Sequence, residues 1–328
     1  MVSLQIIQQS NALVGSLPQG LVALFIGATT GIGQSTLEHF AQQASSPRIY
    51  TVARPAAAAS HESLLASLRQ SRPEGTYNLI TADVSLVSEV DKVVKAVKAQ
   101  EKKLDILFLS AGFMPFEGRQ DTAEGLDPSI STRYYSRLRA VEQLIPLLNQ
   151  AKRPRIVSVL AGGLEGPIKE DDLDLRDRAN WSTWGSSVQS TTMGTLALEL
   201  LVRENPKLSV VHWFPGPVDT PALARAKRFG MSQPSVMSQD ESGARGLFLA
   251  SSDRYAVQGG GVPVPEGLPV AKKSGGGIFL VNPLGESSDS ERVLAGMRQR
   301  GVDKAVWSFT QKVFAATAGK SQRSKQEL

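Results

Sequence analysis

Three glycines spaced G-x-x-x-G-x-G lie in Gly27-Ala28-Thr29-Thr30-Gly31-Ile32-Gly33, directly after the apolar run at residues 21–26. A glycine turn between a strand and a helix lets backbone N–H groups at the helix N-terminus cradle a pyrophosphate. Gly27 permits the sharp turn, Gly31 the close approach of the phosphates, and Gly33 the packing of helix on strand. The spacing departs from the G-x-G-x-x-G dinucleotide fingerprint. Arg54 closes the apolar run at residues 48–53, with neutral Ala53 before it. A cation there suits a 2′-phosphate, whereas an acid would bind a ribose 2′-OH and repel phosphate. Thr30 offers a further hydroxyl. Outside the turn, the groups able to move a proton or steady a charge are Arg133, Tyr134, Tyr135 and Arg137, then Glu165, Lys169 and Asp171, then Ser182, Ser186, Ser187 and Gln189. Each of these types serves equally well as a structural or solvated group.

The elements that position them follow from hydrophobic pattern. Short apolar runs at 21–26, 48–53, 77–81, 104–109, 155–160 and 208–213 predict strands, with a last one at 277–281. Between them, helical spacing predicts helices at about 35–43, 60–70, 90–102, 128–150, 186–204 and 239–251, and a terminal helix at about 290–316. Asp83 stands where it would cap the third of these helices. Strand–helix units repeated in series predict an α/β fold with a doubly wound parallel sheet in three α/β/α layers. Residues 1–328 are expected to form one Rossmann-type domain: an N-terminal helix in 1–20, a cofactor-binding core at 21–220, and a loop over the substrate (221–238), last strand and final helix in 221–328. Residues 113–128 and 165–180 read as loops.

Composition narrows the function. The chain has 328 residues, no cysteine, three histidines and a net charge of +5. Disulfides and thiolate chemistry are excluded, and the wide separation of His39, His61 and His212 argues against a metal site. No apolar run approaches the roughly 20 residues of a membrane span, and no basic region followed by an apolar core marks a signal peptide. The expectation is a soluble cytoplasmic protein that binds neither nucleic acid nor membrane. The cations of the tail, Lys320, Arg323 and Lys325, fit a solvated end better than a nucleic-acid surface.

The glycine turn resembles that of the short-chain dehydrogenase/reductase (SDR) family, T-G-x-x-x-G-x-G, with Ile26 in place of the threonine. Two further segments carry the resemblance. Ser110-Ala111-Gly112 stands where the family has N-N-A-G, and Pro215-Gly216-Pro217-Val218-Asp219-Thr220 matches its P-G-x-x-x-T motif. Order and spacing agree over residues 21–220, and the added terminal segments look like those of SDR relatives common in fungal specialised metabolism. The resemblance implies NADP(H) held by Gly27, Thr29, Thr30, Gly31, Ile32, Gly33 and Arg54. It places Asp83 and Val84 at the adenine and Ser110, Ala111 and Gly112 beside the adenosine. Pro215, Gly216, Val218 and Thr220 fall at the nicotinamide end. It also implies a small-molecule substrate and a homodimer, although the extra terminal helix would cover the usual interface.

The family's chemistry rests on a Ser, a Tyr and a Lys, helped by an Asn, with Tyr and Lys in Y-x-x-x-K on the helix before the sixth strand. No Y-x-x-x-K occurs there. Alignment puts Trp181 at the tyrosine and Gly185 at the lysine; a shift of one residue puts Ser182 and Ser186 there instead. The serine becomes Ala161, or Leu160 in another register, and the Asn falls near Arg133. The catalytic residues are therefore open, with Tyr134, Tyr135, Arg133 and Ser182 as candidates. Trp181 and Trp184 are expected to be pocket wall or core. Three readings follow: an NADPH-dependent reductase acting on an acceptor that needs little acid help, a non-redox isomerase, cyclase or dehydratase using shape and fixed dipoles, and a catalytically silent binding protein.

Overall fold

Five consecutive apolar residues, Val22–Ile26, form β1, and all five are buried. A strand hidden on both faces belongs in the middle of a parallel sheet. In the computed structural model, which describes residues 2–231, 233 and 235–326 and side chains as far as residue 318, β1 pairs with β2 (Arg48–Ala53) on one side and β4 (Ile106–Leu109) on the other. With β3 (Thr76–Thr81), β5 (Arg155–Val159), β6 (Ser209–Trp213) and β7 (Phe279–Val281), they make a seven-stranded sheet in the order β3-β2-β1-β4-β5-β6-β7. Every pairing in it is parallel. The doubly wound sheet is as expected. The strand order reverses between β1 and β4, and a crevice opens at such a switch point, beyond the carboxyl ends of the strands.

Helices cover both faces. On one face lie α1 (Leu4–Ala12), α2 (Gly31–Gln43), α3 (Pro55–Ser71) and α9 (Gln239–Ser251), packed around Phe25, Phe40, Phe108 and Phe248. On the other lie α4 (Val87–Gln100), α6 (Ser136–Leu148), α7 (Thr183–Glu204), α10 (Glu291–Gln299) and α11 (Val302–Gln326). In α4 the residues Val87, Val90, Val93, Val94 and Val97 recur every three or four positions and all are buried.

Several expectations are corrected. The long helix expected at 128–150 begins as one turn, α5 (Pro128–Ile130), widens into a π-helical segment at Ser131–Tyr135, and only then continues as α6. Such bulges are often found at functional sites. The expected loop at 221–238 contains a helix, α8 (Pro221–Arg228), started by Pro221 behind the cap Thr220. The terminal helix is two helices, because Gly301 adopts a left-handed φ of 74° between α10 and α11. The helix expected from 186 begins at Thr183, with Ser182 as its cap. The side chains of Lys320, Arg323 and Lys325, and all of Glu327 and Leu328, lie outside the described residues.

Candidate active site

The glycine turn is built from contacts that admit no side chain. Gly27 has a φ of 102°, and a Cβ there would stand 2.1 Å from the Ala111 nitrogen; one on Gly33 would stand 2.3 Å from both the Gly27 oxygen and Ser110 Oγ. Ser110 Oγ donates to the Gly27 carbonyl at 2.8 Å, which ties the end of β4 to the turn. At the start of α2 the cap Thr30 makes no side-chain bond to the helix, and the first turn holds no acidic residue. The N–H groups and the positive end of the helix dipole are therefore left to an anion from outside.

Around this turn lies a cleft of about 370 Å³. Gly27, Thr29, Thr30, Gly31, Ile32 and Gly33 form one wall, and Arg54, Asp83, Val84, Ser110, Ala111 and Gly112 line it further along. Thr220 closes the opposite side, its methyl 3.1 Å from where a Gly31 Cβ would stand. Pro215, Gly216 and Val218 are not among the lining residues. Val218 is buried and bridges to Met237, while Gly216 lies against Pro283. Arg54 is exposed and its guanidinium has no hydrogen-bond or ion-pair partner among the described residues. Asp83 accepts from the Ser85 nitrogen at 2.9 Å, a local turn that fixes the carboxylate at the cleft. Sequence reasoning missed Arg225 and Ala222 on α8, together with Phe113 and Thr132. A Thr-Pro pair at 220–221 is a helix-start signal that would have found α8. Arg225 sits over the Phe113 ring, 5.9 Å from its centroid, and reaches Glu117 at 3.4 Å. Phe116 stacks on Phe229 at 4.5 Å, so the loop after β4 and α8 close over the cleft together.

Behind Gly112 lie two buried guanidinium groups, Arg133 of the π-helical segment and Arg137 at the start of α6. Arg133 donates from Nη2 to Ser186 Oγ at 3.1 Å and from Nε to the Ser129 carbonyl at 3.3 Å, and its Nη1 has no partner. Arg137 donates to Ser158 Oγ, the Val159 carbonyl and the Ala111 carbonyl, which pins the ends of β4 and β5 together. Burial pulls Arg133 down to about 10, against the pull of Asp127, and Arg137 to about 9, with Arg133 adding repulsion. Both remain charged at neutral pH, and each group displaced from water needs every available acceptor.

Tyr134 and Tyr135, expected as candidates for proton transfer, are fully buried in the opposite direction. Tyr134 shares a 2.6 Å hydrogen bond with Thr310 of α11, and Tyr135 donates to Asp174 at 3.1 Å. Burial drives both phenols well above their ordinary value. These rings are core, and the expectation for them is corrected. Ser182 is exposed and accepts from the Gly185 nitrogen as the cap of α7. Ser186, one position beyond Gly185, is the residue of that turn that contacts Arg133. Trp181 packs partly buried against the core, whereas Trp184 is 64% exposed and belongs to neither core nor pocket wall. Ala161 is half-buried at the end of β5. Gln189 holds the loop at Lys169 and Leu173, and Glu165 accepts from Gly163 N and Thr195 Oγ1, so both are structural ties. Among the described residues no group of acidic and histidine side chains is arranged to hold a metal, and no helix is long and apolar enough to cross a membrane.

A glycine-rich anion cradle at the switch point of a parallel sheet defines a nucleotide-binding α/β protein, and the chain belongs to the short-chain dehydrogenase/reductase family. The family's model, described as short chain dehydrogenase, matches residues 21–170. The chain is 66% identical over 330 residues to the NmrA-like family domain-containing oxidoreductase notO of Aspergillus sp. (strain MF297-2), covering 100% of both. It is 30% identical to the short-chain dehydrogenase/reductase SAT2 of Stachybotrys chartarum, covering 94% of this chain and 96% of that one. Among solved structures, a short chain dehydrogenase from Burkholderia cenocepacia J2315 in complex with NADP shares the fold, with a TM-score of 0.55 and 20% identity over 76% of this chain and 98% of the other.

Proposed function

We propose that the protein is an NADPH-dependent reductase of a small organic substrate in specialised metabolism. The observation that carries this reading is the cleft itself, lined both by a helix N-terminus that no side chain caps and by Arg54, whose guanidinium has no partner among the described residues. Gly31, Ile32 and Gly33 would hold the pyrophosphate by backbone N–H groups, and Arg54 the 2′-phosphate by charge-assisted hydrogen bonds. Asp83 and Val84 would meet the adenine, and Thr220 the nicotinamide end. When bound, the cofactor supplies a hydride.

At the family's tyrosine and lysine positions stand Trp181 and Gly185, or Ser182 and Ser186 one residue further on, and of these Ser186 meets Arg133. A serine hydroxyl is a far weaker acid than a tyrosine beside a lysine. Arg133 and Arg137 lie behind Gly112 and add positive potential, and neither offers a ready proton at neutral pH. Such a site suits a substrate already electrophilic at carbon, an iminium or an extended conjugated acceptor, which takes a hydride without prior protonation. The oxidoreductase name of its 66% identical relative supports redox chemistry. The lack of a Y-x-x-x-K motif before β6 favours a second reading, non-redox isomerisation or cyclisation in the same pocket, where orientation and fixed dipoles supply the rate.

The two readings separate in one assay. Incubation with iminium and conjugated carbonyl substrates is expected to consume NADPH in step with product. Product that forms equally well after the cofactor is stripped would assign the second reading.

A further inference from the structure

At the opposite end of the sheet from the cleft, the amino-terminal ends of β1, β4 and β5 border a groove of about 340 Å³. Its floor is apolar: Leu17 and Pro18 after α1, Leu21 before β1, Phe40 of α2, Ile106 of β4 and Ala250 of α9. Its charged lining is Lys103, Lys152, Arg153 and Arg155 against Asp105 and Asp253, an excess of two positive charges. Both acids are already engaged. Asp105 accepts from the Val22 nitrogen at 2.9 Å and from Lys103 at 2.8 Å. Asp253 accepts from the Gly260 and Gly261 nitrogens, each at 2.8 Å. Arg155 is 5% exposed; its two terminal nitrogens donate to the Leu249 and Ser252 carbonyls, and its Nε has no partner. Burial lowers it to about 10, with only partial compensation from Asp253. Lys152 and Arg153 have no ion-pair partner among the described residues. Apolar floor with unmatched cations at one side is the pattern that orients an apolar molecule carrying one negative charge. A volume of this size falls in the range of small-molecule sites, and a groove at the bottom of the sheet is remote from the glycine turn.

We propose that this groove is a second ligand site, for a small amphipathic monoanion whose apolar body lies on Leu17, Leu21, Phe40 and Ile106 and whose anionic head meets Lys152 and Arg153. The site takes no part in hydride chemistry and does not depend on the identity of the cofactor. Helix α2 joins the two sites, with Gly31 and Gly33 at the cleft and Phe40 at the groove.

The test uses the full chain saturated with NADPH and the fluorescent probe 8-anilino-1-naphthalenesulfonate, an aromatic body with a single sulfonate. The probe is expected to bind in the presence of NADPH, and decanoate, but not decanol, to displace it. In the double variant Lys152→Glu/Arg153→Glu, at two positions whose native side chains have no hydrogen-bond or ion-pair partner among the described residues, the melting temperature should match the parent and probe affinity is expected to fall about tenfold or more. Superimposable titrations of parent and variant would overturn the proposal. So would absence of probe binding once NADPH occupies the cleft, or displacement by decanol as efficient as by decanoate. Failure of NADPH itself to bind would be read directly in the same samples, and would count against the cofactor assignment and leave the outcome at the groove to the variant and the decanoate competition.

Discussion

Arg54 stands at the cleft with no ion-pair partner among the described residues, and the residue before it is the small, neutral Ala53. A bond between a guanidinium and a phosphate contributes about 1.5–3 kcal/mol, so Arg54→Ala should weaken NADPH binding by roughly ten- to a hundredfold while leaving NADH nearly unchanged. Titration calorimetry with both nucleotides checks this, and equal losses for the two would show that Arg54 does not read the 2′-phosphate. Arg54 was legible in the sequence because strand end and charge coincide. The burial of Arg133 and Arg137 was not, since two arginines four apart on a helix ordinarily face solvent. Nor was that of Tyr134 and Tyr135, whose partners Thr310 and Asp174 are distant in sequence. His212 also belongs to this scale. It is buried beside Thr195, and burial lowers it to about 4, outweighing the pull of Glu165. Its folded pKa lies below the unfolded value, so the unfolded chain binds more protons in acid. Stability is therefore full above about pH 6.5 and falls as pH drops toward 4. His61, also lowered by burial, acts in the same direction. Urea midpoints should drop between pH 7 and pH 5, and His212→Gln should flatten that slope; an unchanged slope would contradict the assignment.

The element that matters most is the turn between β1 and α2, and nearly all of it was legible, because glycines with no room for a Cβ leave a fixed spacing in the sequence. Gly33→Ala forces a methyl group to within 2.3 Å of the Gly27 carbonyl and Ser110 Oγ. Overpacking of this kind costs about 1–3 kcal/mol and would push α2 off β1. The expected result is a lower melting temperature with nucleotide binding lost, whereas the parental affinity would show that the turn does not cradle the phosphates. Less legible were the elements whose form depends on partners. The π-helical turn at Ser131–Tyr135 has no sequence pattern of its own and exists where Arg133 and Arg137 turn toward β4, β5 and α7. Helix α8 was hidden in a polar stretch, because only Ala226 on it is buried.

Across the whole molecule, the parallel, doubly wound sheet followed from the repeated strand–helix pattern, but the way the C-terminal segment docks did not. Glu199 of α7 is fully buried and accepts from Arg298 of α10 at 3.0 Å and from Ser274 at 2.6 Å. Burial raises its pKa, and those bonds oppose the shift. Removing the cation by Arg298→Met leaves a buried, uncompensated carboxylate, and unfolding free energy should fall by about 3–5 kcal/mol. Chemical denaturation checks this; a loss below about 1 kcal/mol would place the pair among ordinary surface bridges. The sheet, the switch point and the two walls of helices converge on one claim, that the cleft beside Gly31 and Arg54 binds NADPH. Titration calorimetry of the purified protein with NADPH and then NADH tests it most directly. Saturable NADPH binding, at least about tenfold tighter than that of NADH, is expected. Absence of binding by either nucleotide, or a preference for NADH, would contradict it.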